Sequence, residues 1–197
     1  MGARGRLFVI SGPSGVGKGT VVRKLLARDP SLFYSVSAKT RTPRPGEVDG
    51  RDYRFMSEEE FDRLIGQDAF LEWAEMFGHR SGTLAEPVEK ALADGRNVLL
   101  EIDVQGAASV KRRIPDAVLI FLTPPSREEL VRRLKARGTQ GEEDFGRRVS
   151  GAEREMEEAT RFDHVVVNDD LDRVVQEVAG ILDSTPPNGP STTGSSA

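Results

Sequence analysis

The chain of 197 residues has 28 lysines and arginines, 32 acidic residues, no cysteine and a formal net charge of −4; this length is typical of one domain with room for a small inserted unit. The absence of cysteine excludes a disulfide framework, a thiolate zinc site and a cysteine nucleophile. The acidic balance argues against a nucleic-acid-binding protein, and no stretch is apolar and long enough for a signal peptide or membrane span, which favours a cytoplasmic location.

Four short apolar runs are predicted to be buried strands, and each is followed by a segment with the apolar period of a helix. The predicted strands are residues 7–10, 98–102, 118–122 and 165–167, and the helices that follow them are residues 20–28, 105–113, 126–137 and 171–182. This alternation predicts an α/β fold in which helices cover both faces of a parallel sheet.

Residues 35–89 interrupt this alternation. They include a turn-rich segment at residues 42–46 and a short strand pattern at residues 53–55. Ser57 and Glu60 have the spacing of a capping box and predict the start of a helix. We interpret this part of the chain as an inserted module.

Residues 11–20, Ser-Gly-Pro-Ser-Gly-Val-Gly-Lys-Gly-Thr, stand between the first predicted strand and its helix. In this context glycines let backbone N–H groups converge on phosphate oxygens, and Lys18 adds a charge for the β- and γ-phosphates. The alternative is a glycine-rich turn that binds nothing. The predicted ATP-binding loop consists of Gly12, Pro13, Ser14, Gly15, Val16, Gly17, Lys18, Gly19 and Thr20.

Gly19 occupies the position at which the usual motif has the Ser or Thr that binds Mg²⁺. Either Thr20 reaches the phosphates or the metal from one position further on, or waters and other side chains complete the coordination. The direct metal ligand is therefore left open, with Thr20 as one candidate.

The inserted module also concentrates hydrogen-bond donors that suit a second anion. The alternative is that its arginines only solvate an irregular loop. The order of residues favours an anion site: residues 37–47, with the pattern Ser-x-x-Thr-Arg-x-Pro-Arg-x-Gly-Glu, and residues 49–55, with Asp-Gly-x-x-Tyr-x-Phe, closely resemble the GMP-binding segment of guanylate kinases. The resemblance covers roughly residues 5–183 and includes residues 70–74, 101–106, 124–126, 133–139 and 167–170.

This resemblance implies a GMP site. It assigns guanine binding to Ser37, Glu72 and Asp103, and the GMP phosphate to Arg41, Arg44 and Tyr53, with Glu47 as a partner that orients the arginines. Ser81 and Thr83 complete the implied site. Carboxylates suit the N1–H and amine of guanine, whereas the unprotonated N1 of adenine would leave them unpaired. Without the resemblance, Glu72 reads as a solvated helix residue and Asp103 as a helix cap.

One segment departs from the family pattern. Many guanylate kinases have Asn-Tyr-Tyr-Gly where this chain has His79-Arg80-Ser81-Gly82, and the second tyrosine contacts the GMP phosphate. Ser81 takes the place of that tyrosine. Either the loop moves inward, or Arg80 substitutes as the phosphate donor.

The basic helix at residues 126–137, followed by Arg147 and Arg148, suits a mobile lid. Arg133 and Arg137 share one helical face, and the resemblance places both, with Arg148, around the ATP phosphates. The alternative, in which arginines pair with glutamates of their own helix, is expected for Arg127 and Arg132. The resemblance also places Asn168 beside adenine.

The implied reaction is transfer of the ATP γ-phosphoryl group to GMP, and also to dGMP, with Mg²⁺ accompanying ATP. The acceptor oxygen is already ionised at neutral pH, so catalysis needs positioning and charge neutralisation rather than a general base. The charges are expected from Lys18, Arg41, Arg133, Arg137 and Arg148. The alternatives are a kinase of another nucleoside monophosphate, or a guanylate-kinase-like module that binds proteins.

These expectations divide the chain into four parts. The predicted parts are a P-loop core at residues 1–34, 90–125 and 161–183, a GMP-binding subdomain at residues 35–89, a lid with flanking helices at residues 126–160 and a disordered tail at residues 184–197.

Overall fold

A computed structural model describes residues 3–76, 78–136 and 142–185. Arg137 and residues 186–197, to which the sequence assigns a lid contact and most of the tail, lie outside the described residues. The strands are β1 (Leu7–Ser11), β2 (Phe33–Tyr34), β3 (Ala38–Lys39), β4 (Arg54–Phe55), β5 (Phe70–Met76), β6 (His79–Leu84), β7 (Val98–Glu101), β8 (Val118–Thr123) and β9 (His164–Val167). The helices are α1 (Lys18–Arg28), α2 (Glu58–Gly66), α3 (Ala85–Ala93), α4 (Val104–Arg113), α5 (Arg127–Ala136), α6 (Glu142–Glu157) and α7 (Leu171–Ser184), with a 3₁₀ turn at Glu158–Arg161.

Five parallel strands form the first sheet, in the order β2-β7-β1-β8-β9. Successive residues of a strand point to opposite faces. Phe8 and Ile10 accordingly pack in one cluster with residues of α1 and α7, whereas Leu7 and Val9 pack in another with residues of α3 and α4. The predicted α/β fold, a parallel sheet covered by helices on both faces, is confirmed.

The N-cap hydrogen bond expected at Ser57 forms, and an equivalent bond forms at Ser126. The Ser57 hydroxyl accepts a hydrogen bond of 3.1 Å from the Glu60 backbone N–H at the start of α2. Ser126 accepts one of 3.2 Å from the Glu129 N–H at the start of α5. Each bond satisfies a backbone donor that the helix itself leaves unpaired.

A second, mixed sheet has the order β4-β3-β6-β5. Helix α2 covers one of its faces, where Phe61 packs with Ala38, Phe70 and Leu84. The opposite face borders a cleft. Helix α3, although it follows this sheet directly, packs its Val88 in the core of the first sheet, so the boundary predicted at residue 90 falls inside α3.

Helices α5 and α6 pack against each other through an apolar cluster that includes Leu130, Leu134 and Ala152. Arg132 pairs with Glu129 of its own helix, as expected. Arg127 does not: it pairs with Glu153 of α6, because the contact between the two helices brings that carboxylate within reach. At the C-terminus Ser184 ends α7 rather than beginning the tail. None of the described helices has the length and apolar character that crossing a membrane requires.

Candidate nucleotide-binding cleft

A cleft of about 430 Å³ lies between the loops that follow β1 and β7 and the open face of the second sheet. In open parallel sheets, ligands bind at the carboxyl ends of the strands, where these loops stand. Of the residues predicted from sequence, those that line the cleft are Ser14, Gly15, Gly17, Lys18, Gly19, Ser37, Arg41, Arg44, Tyr53, Glu72, Ser81 and Asp103. The structure thus brings parts of both predicted nucleotide sites to one cavity.

The loop between β1 and α1 depends on glycine at two decisive positions. Gly12 has φ 138°, and a Cβ added there would lie 2.2 Å from the Leu122 carbonyl oxygen. Gly17, with φ 103°, holds the left-handed conformation at the start of α1. The Lys18 ammonium folds back and donates to the carbonyl oxygens of Gly12 (2.6 Å) and Pro13 (3.3 Å). These contacts fix the loop and its lysine at the cleft.

Two residues predicted to contact ATP instead brace this loop from outside the cleft lining. The Asn168 side chain is buried and donates to the Val16 carbonyl at 2.7 Å. The Arg133 guanidinium donates to the same carbonyl and to that of Asn168, each at 3.0 Å. Arg148, on α6, does not line the cleft either. Their contacts with ATP remain predictions.

Glu155 of α6 approaches the same loop from the cleft side. Its carboxylate accepts a hydrogen bond of 3.0 Å from the Ser14 N–H. Burial raises the pKa of Glu155, and the charge of Lys18 opposes that rise. The Glu155 carboxylate therefore binds one backbone N–H group of the loop, and this loop is predicted to bind phosphates.

The side of the cleft next to Gly19 carries a carboxylate. A Cβ at Gly19 would lie 3.4 Å from Glu101 Oε2. Thr20 is exposed on α1, and its hydroxyl accepts from Arg23 at 3.2 Å, so it does not line the cleft. Of the two possibilities left by the Gly19 irregularity, this arrangement favours coordination by other side chains.

Magnesium typically takes one or two carboxylates and completes its shell with substrate phosphates and water. Within residues 3–76, 78–136 and 142–185 no group of three or more acidic or histidine side chains could hold a metal by itself. Glu101, which lines the cleft beside Gly19, supplies one such carboxylate. The residues present therefore fit an ion that arrives with the nucleotide.

Arg41 is held rigidly at the other end of the cleft. Its Nη1 and Nη2 each donate to an oxygen of Glu47, both at 2.6 Å, and Glu47 also accepts from the Arg44 backbone N–H at 2.8 Å. The hydrogen bonds from Arg41 lower the pKa of Glu47 to about 2. Glu47 does not line the cleft, and its position is that of a residue that orients Arg41.

Glu72 and Asp103 converge on Gly106 at the start of α4. A Cβ added at Gly106 would lie 3.0 Å from Glu72 Oε2 and 3.4 Å from Asp103 Oδ1. Asp103 caps α4 by accepting from the Gly106 N–H at 2.7 Å, and it also lines the cleft. The cap expected for Asp103 is thus present beside its predicted site position. Two carboxylates face one small region of the cleft.

Glu72 is not a solvated helix residue. It lies on β5, only 9% exposed, and its Oε1 accepts a 2.6 Å hydrogen bond from the hydroxyl of Thr83, its cross-strand partner on β6. Burial raises the pKa of Glu72 to about 7; the Thr83 hydrogen bond opposes this rise and the charge of Asp103 adds to it. A carboxylate that is buried and yet lines the cleft favours a ligand that donates hydrogen bonds.

Comparison with known proteins identifies the family. The sequence profile described as guanylate kinase matches residues 4–185. The chain belongs to the guanylate kinase family. It is 56% identical over 181 residues to a guanylate kinase of Thermus thermophilus, covering 92% of this chain and 81% of that one. It is 53% identical over 184 residues to one of Nocardia farcinica, covering 92% and 95%. A crystal structure of guanylate kinase from Anaplasma phagocytophilum matches with a TM-score of 0.76 and 36% identity, over 92% of this chain and 86% of that one.

The departure from the guanylate kinase pattern on β6 can now be placed. Ser81 lines the cleft. Arg80 borders it, but its guanidinium donates to Glu58 and Asp62 of α2 and lies 5.0 Å from the Phe61 ring centre. Arg80 therefore anchors α2, and this arrangement does not support its substitution for the family tyrosine on the GMP phosphate.

Cleft residues that the sequence does not assign to either nucleotide include Tyr34, Glu101 and Glu155, whereas Lys39 belongs to the donors of the inserted module that suit a second anion. Glu101 ends β7 two residues before Asp103, a position that could have been read as a second carboxylate at a strand end. Glu155 is one of several acidic residues on α6, and no local pattern distinguishes it from its neighbours.

Proposed function

We propose that this protein transfers the γ-phosphoryl group of ATP to GMP, giving ADP and GDP. The observation that carries the proposal is that Glu72 and Asp103, which meet at Gly106, both line the cleft that the phosphate loop also lines. Carboxylate acceptors match the N1–H and exocyclic amine of guanine, and an adenine would leave buried acceptors unpaired. The relatives named above, all guanylate kinases, support the same conclusion.

The donor half of the reaction belongs to the phosphate loop. We assign the ATP phosphates to the backbone of residues 12–20 and to Lys18, whose ammonium must leave its carbonyl partners to reach them. Glu101, which lies beside Gly19 of the loop, would hold the Mg²⁺ that arrives with ATP. When bound, the ion neutralises charge on the phosphates during transfer.

The acceptor half belongs to the second sheet and the loop that follows β3. Glu72, Asp103 and Ser37 hold the base, and Arg41, Arg44 and Tyr53 hold the phosphate. Because a phosphate oxygen is already ionised at neutral pH, the acceptor needs alignment with the donor rather than removal of a proton. Glu47 contributes by fixing Arg41 in the orientation that faces the phosphate.

Helices α5 and α6 are assigned to a lid that closes over ATP and excludes water. Closure would add Arg148 and Arg137 to the charges around the phosphates, and Arg133 is already placed against the loop. Asn168 is assigned to the adenine side of the same loop. From the family we also infer a cytoplasmic location. We keep the division into a P-loop core, a GMP-binding subdomain, a lid and a tail, with α3 and Ser184 assigned to the core.

We also propose dGMP as an acceptor. The side chains assigned to the acceptor address its base and its phosphate, and none of them is assigned to the 2′-hydroxyl. Loss of that hydroxyl therefore removes no assigned contact.

A coupled assay of ADP release with GMP, dGMP, AMP, UMP and dTMP, each with and without Mg²⁺, tests the proposal. We expect GMP to exceed AMP by at least about 100-fold in kcat/KM, since unpaired buried acceptors discriminate strongly, and the rate to require Mg²⁺. A preference for AMP would establish a different nucleoside monophosphate kinase. Failure to bind ATP in calorimetry would favour a protein-binding module.

A further inference from the structure

Lys39 and Ser81 face each other across the second sheet. They are direct partners in the antiparallel register of β3 and β6, and both line the cleft. Directly opposed residues project to the same face with Cβ atoms about 4.5–5.5 Å apart. Lys39 therefore stands beside the small side chain that leaves room on this wall of the cleft.

The neighbouring residues point the other way. Ala38 precedes Lys39 and is fully buried with Phe61 under α2. Arg80 precedes Ser81, and its guanidinium is held by α2 carboxylates. Because side chains alternate along a strand, Lys39 and Ser81 share the face toward the cleft.

The Lys39 ammonium shares the ring of Tyr53 with the Arg41 guanidinium. It lies 3.9 Å from the Tyr53 ring centre, and the Arg41 guanidinium lies 5.3 Å from the same point. Among the salt bridges of the described residues Arg41 has Glu47, whereas Lys39 has no carboxylate within 4 Å. Burial lowers the pKa of Lys39, and the charges of Arg41 and Arg44 lower it further, against the opposing charges of Glu47 and Glu101.

Partial burial of the Lys39 ammonium, within the field of Arg41 and Arg44, costs free energy in the empty protein, and an anion in the cleft would offset that cost. Lys39 and Arg41 both lie over the Tyr53 ring, so one anion bound there would contact all three side chains. A phosphomonoester with nearly two negative charges matches this cluster of cations.

We propose that Lys39 binds the phosphate of the acceptor nucleotide, together with Arg41 and Arg44, on the wall of the cleft that Ser81 leaves open. The inference rests on the proposed function, because it takes GMP as the acceptor. It makes Lys39 a determinant of acceptor affinity that requires the phosphate group and contributes nothing to binding of the base.

The test compares binding of GMP, guanosine and ATP to the wild-type protein and to Lys39→Met, by calorimetry or by displacement of bound GMP analogue. Loss of one charged contact is expected to weaken GMP binding about 10- to 100-fold. Guanosine and ATP binding are expected to stay within about twofold, since neither places a phosphate at Lys39 in the proposed arrangement. Lys39→Arg keeps the charge and should retain most of the affinity.

Lys90→Met is the matched control, because Lys90 is exposed on α3 and pairs only with its neighbour Asp94 among the described salt bridges. It removes the same charge far from the cleft and should leave all three affinities unchanged. Lys39→Gln serves as a second neutral variant if the methionine variant has a lowered melting temperature. GMP binding by both neutral variants at the wild-type affinity would overturn the role of Lys39 alone. Failure of the wild-type protein to bind GMP would overturn the proposed function and this inference with it.

Discussion

The phosphate loop and the acceptor half of the cleft differ in the groups that they offer to anions: backbone N–H groups in the loop, and side chains in the acceptor half. The loop is one contiguous segment that offers backbone N–H groups. Its glycines at positions 12, 15 and 17 have positive φ angles that other residues rarely adopt. The acceptor half gathers side chains from β3, β5, β6, the loop after β3 and the start of α4, and holds them by side-chain contacts such as the Arg41–Glu47 pair. The loop suits any polyphosphate, whereas the side chains of the acceptor half suit one base and one phosphate.

This contrast predicts that substitutions in the two halves affect different kinetic constants. Changes at the loop lysine should act mainly on turnover, because its charge matters most as the phosphoryl group moves. Changes in the acceptor half should act mainly on the KM for GMP. The following variants are ordered by the size of the expected effect.

Lys18→Met is expected to lower kcat by about 10³-fold, the magnitude found when a charge-stabilising group is removed from a transition state. Steady-state turnover with saturating ATP and GMP measures the effect. Lys24→Met, on the same helix and paired with Asp172 at the surface, is the matched control and should keep the wild-type rate. Normal turnover by Lys18→Met would refute the role assigned to this lysine.

Arg41→Met is expected to raise the KM for GMP about 100-fold, because it removes a bidentate guanidinium from the phosphate site. Arg41→Lys keeps the charge but not the paired geometry with Glu47, so an intermediate rise of about 10-fold is expected. Glu47→Gln should have a similar intermediate effect, since it loosens Arg41 without removing it. Equal KM values for all three variants and the wild type would place the acceptor phosphate elsewhere.

Glu72→Gln is expected to raise the KM for GMP about 30-fold, since an amide donor would then face the donors of guanine. The same variant should stabilise the empty protein. The raised pKa means that the folded protein holds a proton on Glu72 between about pH 4.5 and pH 7 that the unfolded chain has released. This carboxyl therefore lowers the free energy of unfolding as pH rises through that window.

Above pH 7 the destabilisation is complete and is on the order of 3 kcal/mol. Chemical denaturation of the wild type and Glu72→Gln at pH 5 and pH 8 measures it. The two proteins should differ most at pH 8. A pH-independent difference would show that Glu72 has no raised pKa in the folded protein.

The same titration predicts a pH dependence of binding. Guanine needs the ionised form of Glu72, so GMP affinity should rise by up to about tenfold between pH 6 and pH 8. The GMP phosphate also titrates near pH 6, and that part is common to the wild type and Glu72→Gln. The difference between the two proteins isolates Glu72, and identical pH profiles would contradict its contact with the base.

Glu155→Gln should have the smallest effect of these variants, and it should increase the affinity for ATP. The Glu155 carboxylate occupies the Ser14 N–H in the empty loop and would oppose an incoming phosphate. Removing its charge is expected to tighten ATP binding about threefold. Glu157→Gln, at an exposed position of the same helix, is the control for calorimetry. Weaker ATP binding by Glu155→Gln would show that the carboxylate assists the phosphates instead.

The two halves also differ in how far the sequence predicts them. The loop at residues 11–20 is a local pattern between an apolar strand and a helix, and its fold follows from glycine conformations and strand context. The first sheet was predicted for the same reason: β1, β7 and β8 are continuous apolar runs. The exception, β2, has only two residues and too little pattern to detect.

Most strands of the second sheet are not predicted from the sequence, because their polar side chains line the cleft. Ser81 on β6 lines the cleft and the buried Thr83 hydroxyl binds Glu72, so the strand lacks the apolar alternation that predicts β-structure. The pairing of Glu72 with Thr83 and of Lys39 with Ser81 depends on register, which residues far apart in sequence determine together. The roles predicted for residues of the second sheet rest on the family resemblance, whereas the distances between their side chains are known only from the structure.

A crystal structure of the protein with GMP and a non-hydrolysable ATP analogue tests the central claim most directly. The two-nucleotide account predicts the guanine edge on Glu72 and Asp103, the GMP phosphate at Arg41 and Tyr53, and the ATP phosphates in the loop at residues 12–20. GMP bound with its base away from Glu72, or with its phosphate in the loop itself, would contradict the account.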